Sequence, residues 1–249
     1  MKQLTLLMSI ILGLTLAQSA VAGDASITGT IKFDGSVPTM KVIKMNADPK
    51  CVANNKGKEV RAESLVMGEG QTVANIFVSI KSGLADGATY ETPTTPVVVD
   101  QLGCRYIPHV VAAMKGQTVQ IKNSDGTLHN VHGLPKTNKE FNVAMPAFKK
   151  QIEKKFDQVE SPFKVKCDVH PWMAGYVAVM EHPYFAVSGV DGKYTIKGLD
   201  AGDYEVEMWH EKLGTQTVKV TVAAGEAKTQ DFTLKKPGAV SLNAVMIVK

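Results

Sequence analysis

Helical periodicity is nearly missing from this 249-residue chain. No long stretch keeps apolar residues at i, i+3, i+4 and i+7, which argues against helical bundles and α/β folds. Apolar runs long enough to span a bilayer are also missing. Charge of one sign is scarce: 28 Lys and Arg face 24 Asp and Glu, a net +4. Basic Lys149, Lys150, Lys154 and Lys155 are interrupted by Gln151 and Glu153 and read as a solvated face, so no nucleic-acid partner is expected. There is no Ser/His/Asp arrangement and no phosphate loop. Gly68-Glu69-Gly70 is a turn, since no helix follows it. Cysteine is rare as well, with three in the whole chain.

The N-terminus reads as a leader. Met1-Lys2 is a short basic start, Leu4 to Leu16 is mostly apolar but too short to span a membrane, and Ala20-Val21-Ala22 gives the small-x-small pattern of a cleavage site. This predicts a secretory signal over residues 1–22, a mature chain from Gly23 with net charge near +3 once Lys2 is lost from the +4, and a periplasmic location without a membrane span. In an oxidising compartment an odd cysteine count needs a reason. Either one thiol is free, or one is held by something other than sulfur.

Alternation replaces helical period. Ile27 to Phe33, Ile76 to Lys81, Thr118 to Lys122, Phe163 to Cys167, Tyr194 to Ile196, Tyr204 to Met208 and Thr217 to Val222 read as short strands. Asp34-Gly35, Asp125-Gly126 and Asp191-Gly192 read as turns between them. This is the pattern of β-sandwiches or barrels. A helical turn is expected only in Phe141 to Phe156. His, Cys and Met concentrate in residues 95–181, and plain β sequence flanks them at 23–94 and 182–249.

Cys167-Asp168-Val169-His170-Pro171-Trp172-Met173 puts a thiol, an imidazole and a thioether in one short loop at a strand end. Leu128-His129-Asn130-Val131-His132 lies well upstream, between two strands. Thiolate, thioether and two imidazoles form the donor set that suits both Cu(I) and Cu(II). A His₂Cys plane with a weak axial Met is a blue-copper electron-transfer site. Zinc is less suited, because Met is not among its usual ligands.

At these residues the segment from about 105 to 181 resembles the cupredoxins, or type 1 blue copper proteins. The resemblance runs through Tyr106-Ile107-Pro108, Gly116-Gln117-Thr118-Val119, Asn123, His129-Asn130-Val131-His132, Cys167-x-x-His170-Pro171-x-Met173 and Gly175. Within the amicyanin/plastocyanin-like group, the short Cys-to-Met loop is that of the amicyanins. It implies a Greek-key sandwich holding one type 1 copper on His129, Cys167, His170 and Met173. Asn130 would tie the ligand loops together, and His170 would carry electrons through an imidazole edge exposed in an apolar patch. The implied partner is a redox protein, such as a c-type cytochrome or a periplasmic dehydrogenase.

The flanks resemble another family. Gly29-Thr30-Ile31, Asp191-Gly192-Lys193-Tyr194-Thr195-Ile196 and Leu199-Asp200-Ala201-Gly202-Asp203-Tyr204 are similar to carboxypeptidase-regulatory-like domains, which are small transthyretin-like sandwiches. The expected fold is therefore all-β: a cupredoxin sandwich inserted in, or joined to, a second small sandwich. The first flank alone has too few strands to close a core, which favours the inserted arrangement over two tandem modules.

Other residues keep two readings. Cys51 and Cys104 either form a disulfide, leaving Cys167 as the odd cysteine, or Cys104 and His109 hold a second metal. His132 is a surface residue or a partner of the ligands. Met145 belongs to the core or to an apolar surface. Trp172 docks a partner or packs on the loop. His182-Pro183-Tyr184 reads as a rigid joint and His210 as structural. Asp203, Glu205, Glu207 and Glu211 read as a solvent-facing row. Four closed ligands leave no open coordination position, so an electron carrier is expected and an enzyme is not. The alternative is a copper-binding, copper-delivery or envelope-binding protein with no redox partner.

Overall fold

The computed structural model describes residues 23–235. The expected leader at residues 1–22 lies outside them. The architecture is all-β, with four sheets and two principal cores.

The first core forms around the strand Ala25–Phe33, whose alternate residues, Ala25, Ile27, Gly29, Ile31 and Phe33, are buried. A two-residue period puts them on one face of the pleat. This strand pairs antiparallel with Lys193–Leu199, and parallel with Ala227–Thr229 and Phe232–Leu234. A second sheet orders Phe185–Val187, Phe77–Ser82, Gly202–His210 and Gly214–Val222. Val78, Ile80, Val206 and Met208 from that sheet join Ile27, Ile31, Ile196 and Leu199 in one buried cluster. The two stretches that resemble halves of one small sandwich thus pair directly, with Gly29 opposite Tyr194 and Thr30 opposite Lys193. The chain leaves these sheets after Ser82 and returns to them at Phe185.

Between those points it builds the second core. One sheet orders Val110–Met114, Ala174–Met180, Glu160–Lys166, His129–Leu134 and Phe141–Met145. The other orders Tyr106–Ile107, Val97–Gln101, Val119–Asn123 and Gln151–Lys154. Val99, Val119, Ile121, Val131, Val165 and Val177 are buried together between them. A smaller cluster of Phe77, Val110 and Ala178, flanked by Tyr176 and Trp209, joins the two units. Beside it, Glu211 accepts hydrogen bonds from His109 Nε2 at 2.6 Å and from the Tyr176 hydroxyl at 3.1 Å. Glu211 is therefore not part of a solvent-facing row. Its side chain is 8% exposed, because the second unit covers it.

Two expectations about local structure are corrected. Phe141 to Phe156 holds the strands Phe141–Met145 and Gln151–Lys154, joined by a single turn in which Lys149 N donates to Pro146 O at 2.8 Å, and no helix. Among the described residues, the α-helix lies at Pro49–Asn54 in the N-terminal flank. Its signals are local: the Asp48 carboxylate accepts from Lys50 N at 2.8 Å, and Pro49 occupies the first turn, where its missing N–H is not needed. This part of the flank also packs away from the first core, since Met45 and Cys51 are buried in the second.

Candidate metal centre

Three strands of one sheet bring the sequence-predicted ligands together. His129 opens the strand His129–Leu134. Glu160–Lys166 pairs with it, placing Lys166 opposite His132. Glu160–Lys166 also pairs with Ala174–Met180, placing Lys166 opposite Ala174. The segment from Cys167 to Met173 is therefore a hairpin loop at the His129 end of the sheet. It is closed by Cys167 N donating to Met173 O at 3.3 Å and Met173 N donating to His170 O at 2.9 Å.

His129, Cys167 and His170 converge: their donor atoms lie within 4.8 Å of one another, and all three are buried. The two Nδ1 atoms are 2.9 Å apart, and His170 Nδ1 is 3.8 Å from Cys167 Sγ. Met173, 1% exposed, belongs to the same buried cluster as Cys167. Both imidazoles thus turn Nδ1 inward towards the sulfur. The donor set is soft and dry, and it fits a copper ion.

Backbone and side-chain donors surround the sulfur. Asn130 N and His170 N each donate to Cys167 Sγ at 3.4 Å. The Asn130 side chain ties the loops: its Oδ1 accepts from Asp168 N at 2.6 Å and Val169 N at 3.3 Å, and its Nδ2 donates to Asn142 Oδ1 at 2.7 Å. Tyr106 donates from its hydroxyl to Asn130 O at 2.7 Å. Burial pushes the Cys167 thiol up, but His129 and the amide donors outweigh it, and its pKa is lowered overall. Burial likewise opposes a charged His129, but Asp125 and Cys167 beside it prevail and raise its pKa to about 9.

The outer faces of the imidazoles depart from expectation. His170 is 2% exposed, so no imidazole edge emerges in an apolar patch. Its Nε2 lies 3.0 Å from Asp48 Oδ2 and 3.6 Å from Cys51 Sγ, and the Trp172 ring packs with its centroid 5.1 Å away. The N-terminal arm, the part of the flank from Met45 to Asn54, supplies Asp48 and Cys51 to this cover. His129 Nε2 lies 2.9 Å from Asp125 Oδ2, and neither side chain is exposed. Neither Asp48 nor Asp125 is among the site residues expected from sequence. The signals were the Asp-Pro helix start and the i, i+4 spacing of Asp125 and His129, but Asp125-Gly126 reads first as a turn.

Cys51 and Cys104 form a disulfide with Cα atoms 5.5 Å apart. Cys104 therefore offers no thiolate to a second metal, and His109 faces Glu211 instead. Cys167 is the free cysteine. His132 contacts Asp168 at 2.9 Å and Glu140 at 3.0 Å near the surface, not the ligands. Met145 is fully buried and accepts a contact from Gln101 Nε2 at 3.1 Å. Trp172 donates from Nε1 to Cys104 O at 3.2 Å, which packs it on the loop. His182 donates from Nε2 to Ile80 O at 2.9 Å and accepts from Tyr184 N at 3.2 Å, a structural role at the return to the first core.

Residues 177–235 match the carboxypeptidase regulatory-like domain family. Among solved structures, the chain is similar to a mutant amicyanin in its Cu(I) form: 24% identity over 41% of this chain and 97% of that one, TM-score 0.30. A purple cupredoxin from Nitrosopumilus maritimus shares 24% identity over 33% of this chain and 98% of that one, TM-score 0.29. A copper-containing nitrite reductase from Thermus scotoductus SA-01 shares 22% identity over 40% of this chain, TM-score 0.33. The chain spans 25% of that enzyme's length. No curated protein sequence matches the chain.

Proposed function

We propose that this chain is an exported, periplasmic copper protein that holds one type 1 copper on His129, Cys167, His170 and Met173 and passes single electrons between redox proteins. The observation that carries the reading is the convergence of two inward-facing Nδ1 atoms and one buried sulfur, supplied by segments distant in sequence. Bound copper would supply a centre that alternates between Cu(II) and Cu(I). The residues do the rest. Asn130 and the backbone amides hold the sulfur in place, and the paired strands fix the loop, so little rearrangement accompanies a change of charge. Four buried donors close the site to substrate, which supports a carrier over an enzyme.

The partner would be a c-type cytochrome or a periplasmic dehydrogenase. With His170 covered, its docking face would use the exposed apolar side chains in the loops that bear the site, Leu128 and Val169 beside the two ligand histidines and Phe148 after Met145.

The test is to add Cu(II) to purified protein and measure visible absorption. An intense thiolate-to-copper band is expected, and Cys167→Ser should abolish it. A protein that stays colourless or holds only Cu(I) would favour copper delivery without a redox partner. Colour that survives Cys167→Ser would overturn the ligand assignment.

A further inference from the structure

The two imidazoles are each held from behind by a carboxylate. Asp125 lies behind His129 and Asp48 behind His170, at 2.9 and 3.0 Å from the respective Nε2 atoms. The carboxylates come from different parts of the chain, one from the loop before His129 and one from the N-terminal arm.

Neither is loosely placed. Asp125 is fully buried and accepts three more hydrogen bonds: from Gly103 N at 2.6 Å, Cys104 N at 2.7 Å and Asn54 Nδ2 at 2.8 Å. The Cys51–Cys104 disulfide anchors two of the segments that supply these donors. Asp48 accepts from Lys50 N and from Thr127 Oγ1, the latter at 3.1 Å. A buried carboxylate is costly unless it is paired and hydrogen-bonded. These two meet that condition, and each still directs one oxygen at an imidazole.

We propose that Asp125 and Asp48 are positioning residues that depress the reduction potential of the copper centre. The inference rests on the copper reading above. A carboxylate that accepts from the outer N–H of a ligand imidazole fixes the tautomer with Nδ1 free for the metal and raises the donor strength of the ring. Cu(II) carries one more charge than Cu(I), so it gains more from a stronger donor and from a nearby anion. Asp125 is fully shielded from solvent, so salt screens its effect weakly; Asp48 is partly exposed and is screened more. His170 is thereby held in orientation by the arm, and His129 by its own loop.

The experiment is a redox titration of copper-loaded wild type, Asp48→Asn, Asp125→Asn and the double variant, followed by the blue absorption, with thermal unfolding measured alongside. Asparagine removes the charge and keeps one of the two acceptor oxygens. At position 48 that oxygen preserves the helix cap through Lys50 N, since Asn caps as well as Asp, and the amide NH2 replaces the oxygen that faces His170 Nε2. Each single variant is expected to raise the potential and the double variant to raise it most, shifting the Cu(I)/Cu(II) ratio at fixed poise by at least roughly tenfold, about 59 mV for one electron. If Asp125→Asn fails to fold, Asp48→Asn decides alone. A folded, blue Asp48→Asn with the wild-type potential overturns this inference and leaves the copper reading standing. A wild type that takes up no copper overturns both.

Discussion

His170 Nε2 and Asp48 Oδ2 lie 3.0 Å apart, so a helix-capping carboxylate closes the outer edge of the second candidate ligand. One residue performs two tasks: its Oδ1 starts the helix Pro49–Asn54 through Lys50 N, and its Oδ2 holds an imidazole. The arm that carries it is fixed by the disulfide one turn later.

That linkage gives the first prediction. The disulfide closes a separation of 53 residues, and chain entropy assigns a loop of this length about 4 kcal/mol of stabilisation. Replacing Cys51 and Cys104 by Ala should lower unfolding stability by about that amount in denaturant titrations. It should also let the arm lift and speed reaction of the centre with small external redox reagents. A loss well under about 1 kcal/mol, with unchanged reaction rates, would mean that the arm is held without the bridge.

Asn130 is the second point. Its side chain satisfies Asp168 N and Val169 N in the loop that carries Cys167 and His170. Asn130→Ala leaves these amides without an acceptor, at about 1–3 kcal/mol for each one that stays buried. We expect a stability loss of about 2–4 kcal/mol, and a weaker, shifted copper absorption from a loosened sulfur. Asn130→Asp keeps an acceptor and should recover part of the stability. Full stability in the Ala variant would show that water replaces the side chain.

The strands and the placement of the candidate ligands in one loop were legible in sequence for physical reasons. A two-residue period has one structural solution, and Ala25–Phe33 and Gly202–His210 carry it cleanly. Cys167, His170 and Met173 were legible because they are close in sequence and chemically distinctive. Asp48, Asp125 and Glu211 were not, because their roles are set by tertiary contacts. A carboxylate beside a Pro, a Gly or a Lys reads as a cap, a turn or a surface charge. The cover over His170 was equally hidden, since it comes from a flank with no metal chemistry of its own.

Glu211 yields the third prediction. It accepts from His109 and Tyr176 across the junction of the two units, with little solvent. Glu211→Ala strands both donors, and hydrogen bonds to a charged acceptor contribute about 1.5–3 kcal/mol each. The variant should lose about 3–6 kcal/mol, and its unfolding should split into two transitions as the cores uncouple. A single cooperative transition at wild-type stability would show that the Phe77, Val110 and Ala178 cluster suffices to join them.

The fourth prediction concerns pH and lies away from the metal centre. His210 is 3% exposed, and its Nδ1 accepts from Lys212 N and Leu213 N, both at 3.2 Å. Burial disfavours the charged ring. Glu211 opposes this while His109 and Lys212 add to it, and the pKa falls from 6.5 to about 4. The unfolded chain therefore binds a proton below pH 6.5 that the folded chain refuses until about pH 4. Stability from this group is complete above the unfolded value and is lost as pH falls through that window, by about 2 kcal/mol at pH 5. His182, also shifted down by burial, acts in the same direction. His129 and His132, both raised, act in the opposite one. Comparison with His210→Asn isolates the effect, since Asn retains an acceptor for the two amides and cannot titrate. Denaturant midpoints between pH 7 and pH 5 should fall less steeply in the variant than in the wild type. Parallel curves would mean that His210 is protonated in the folded protein as readily as in the unfolded one.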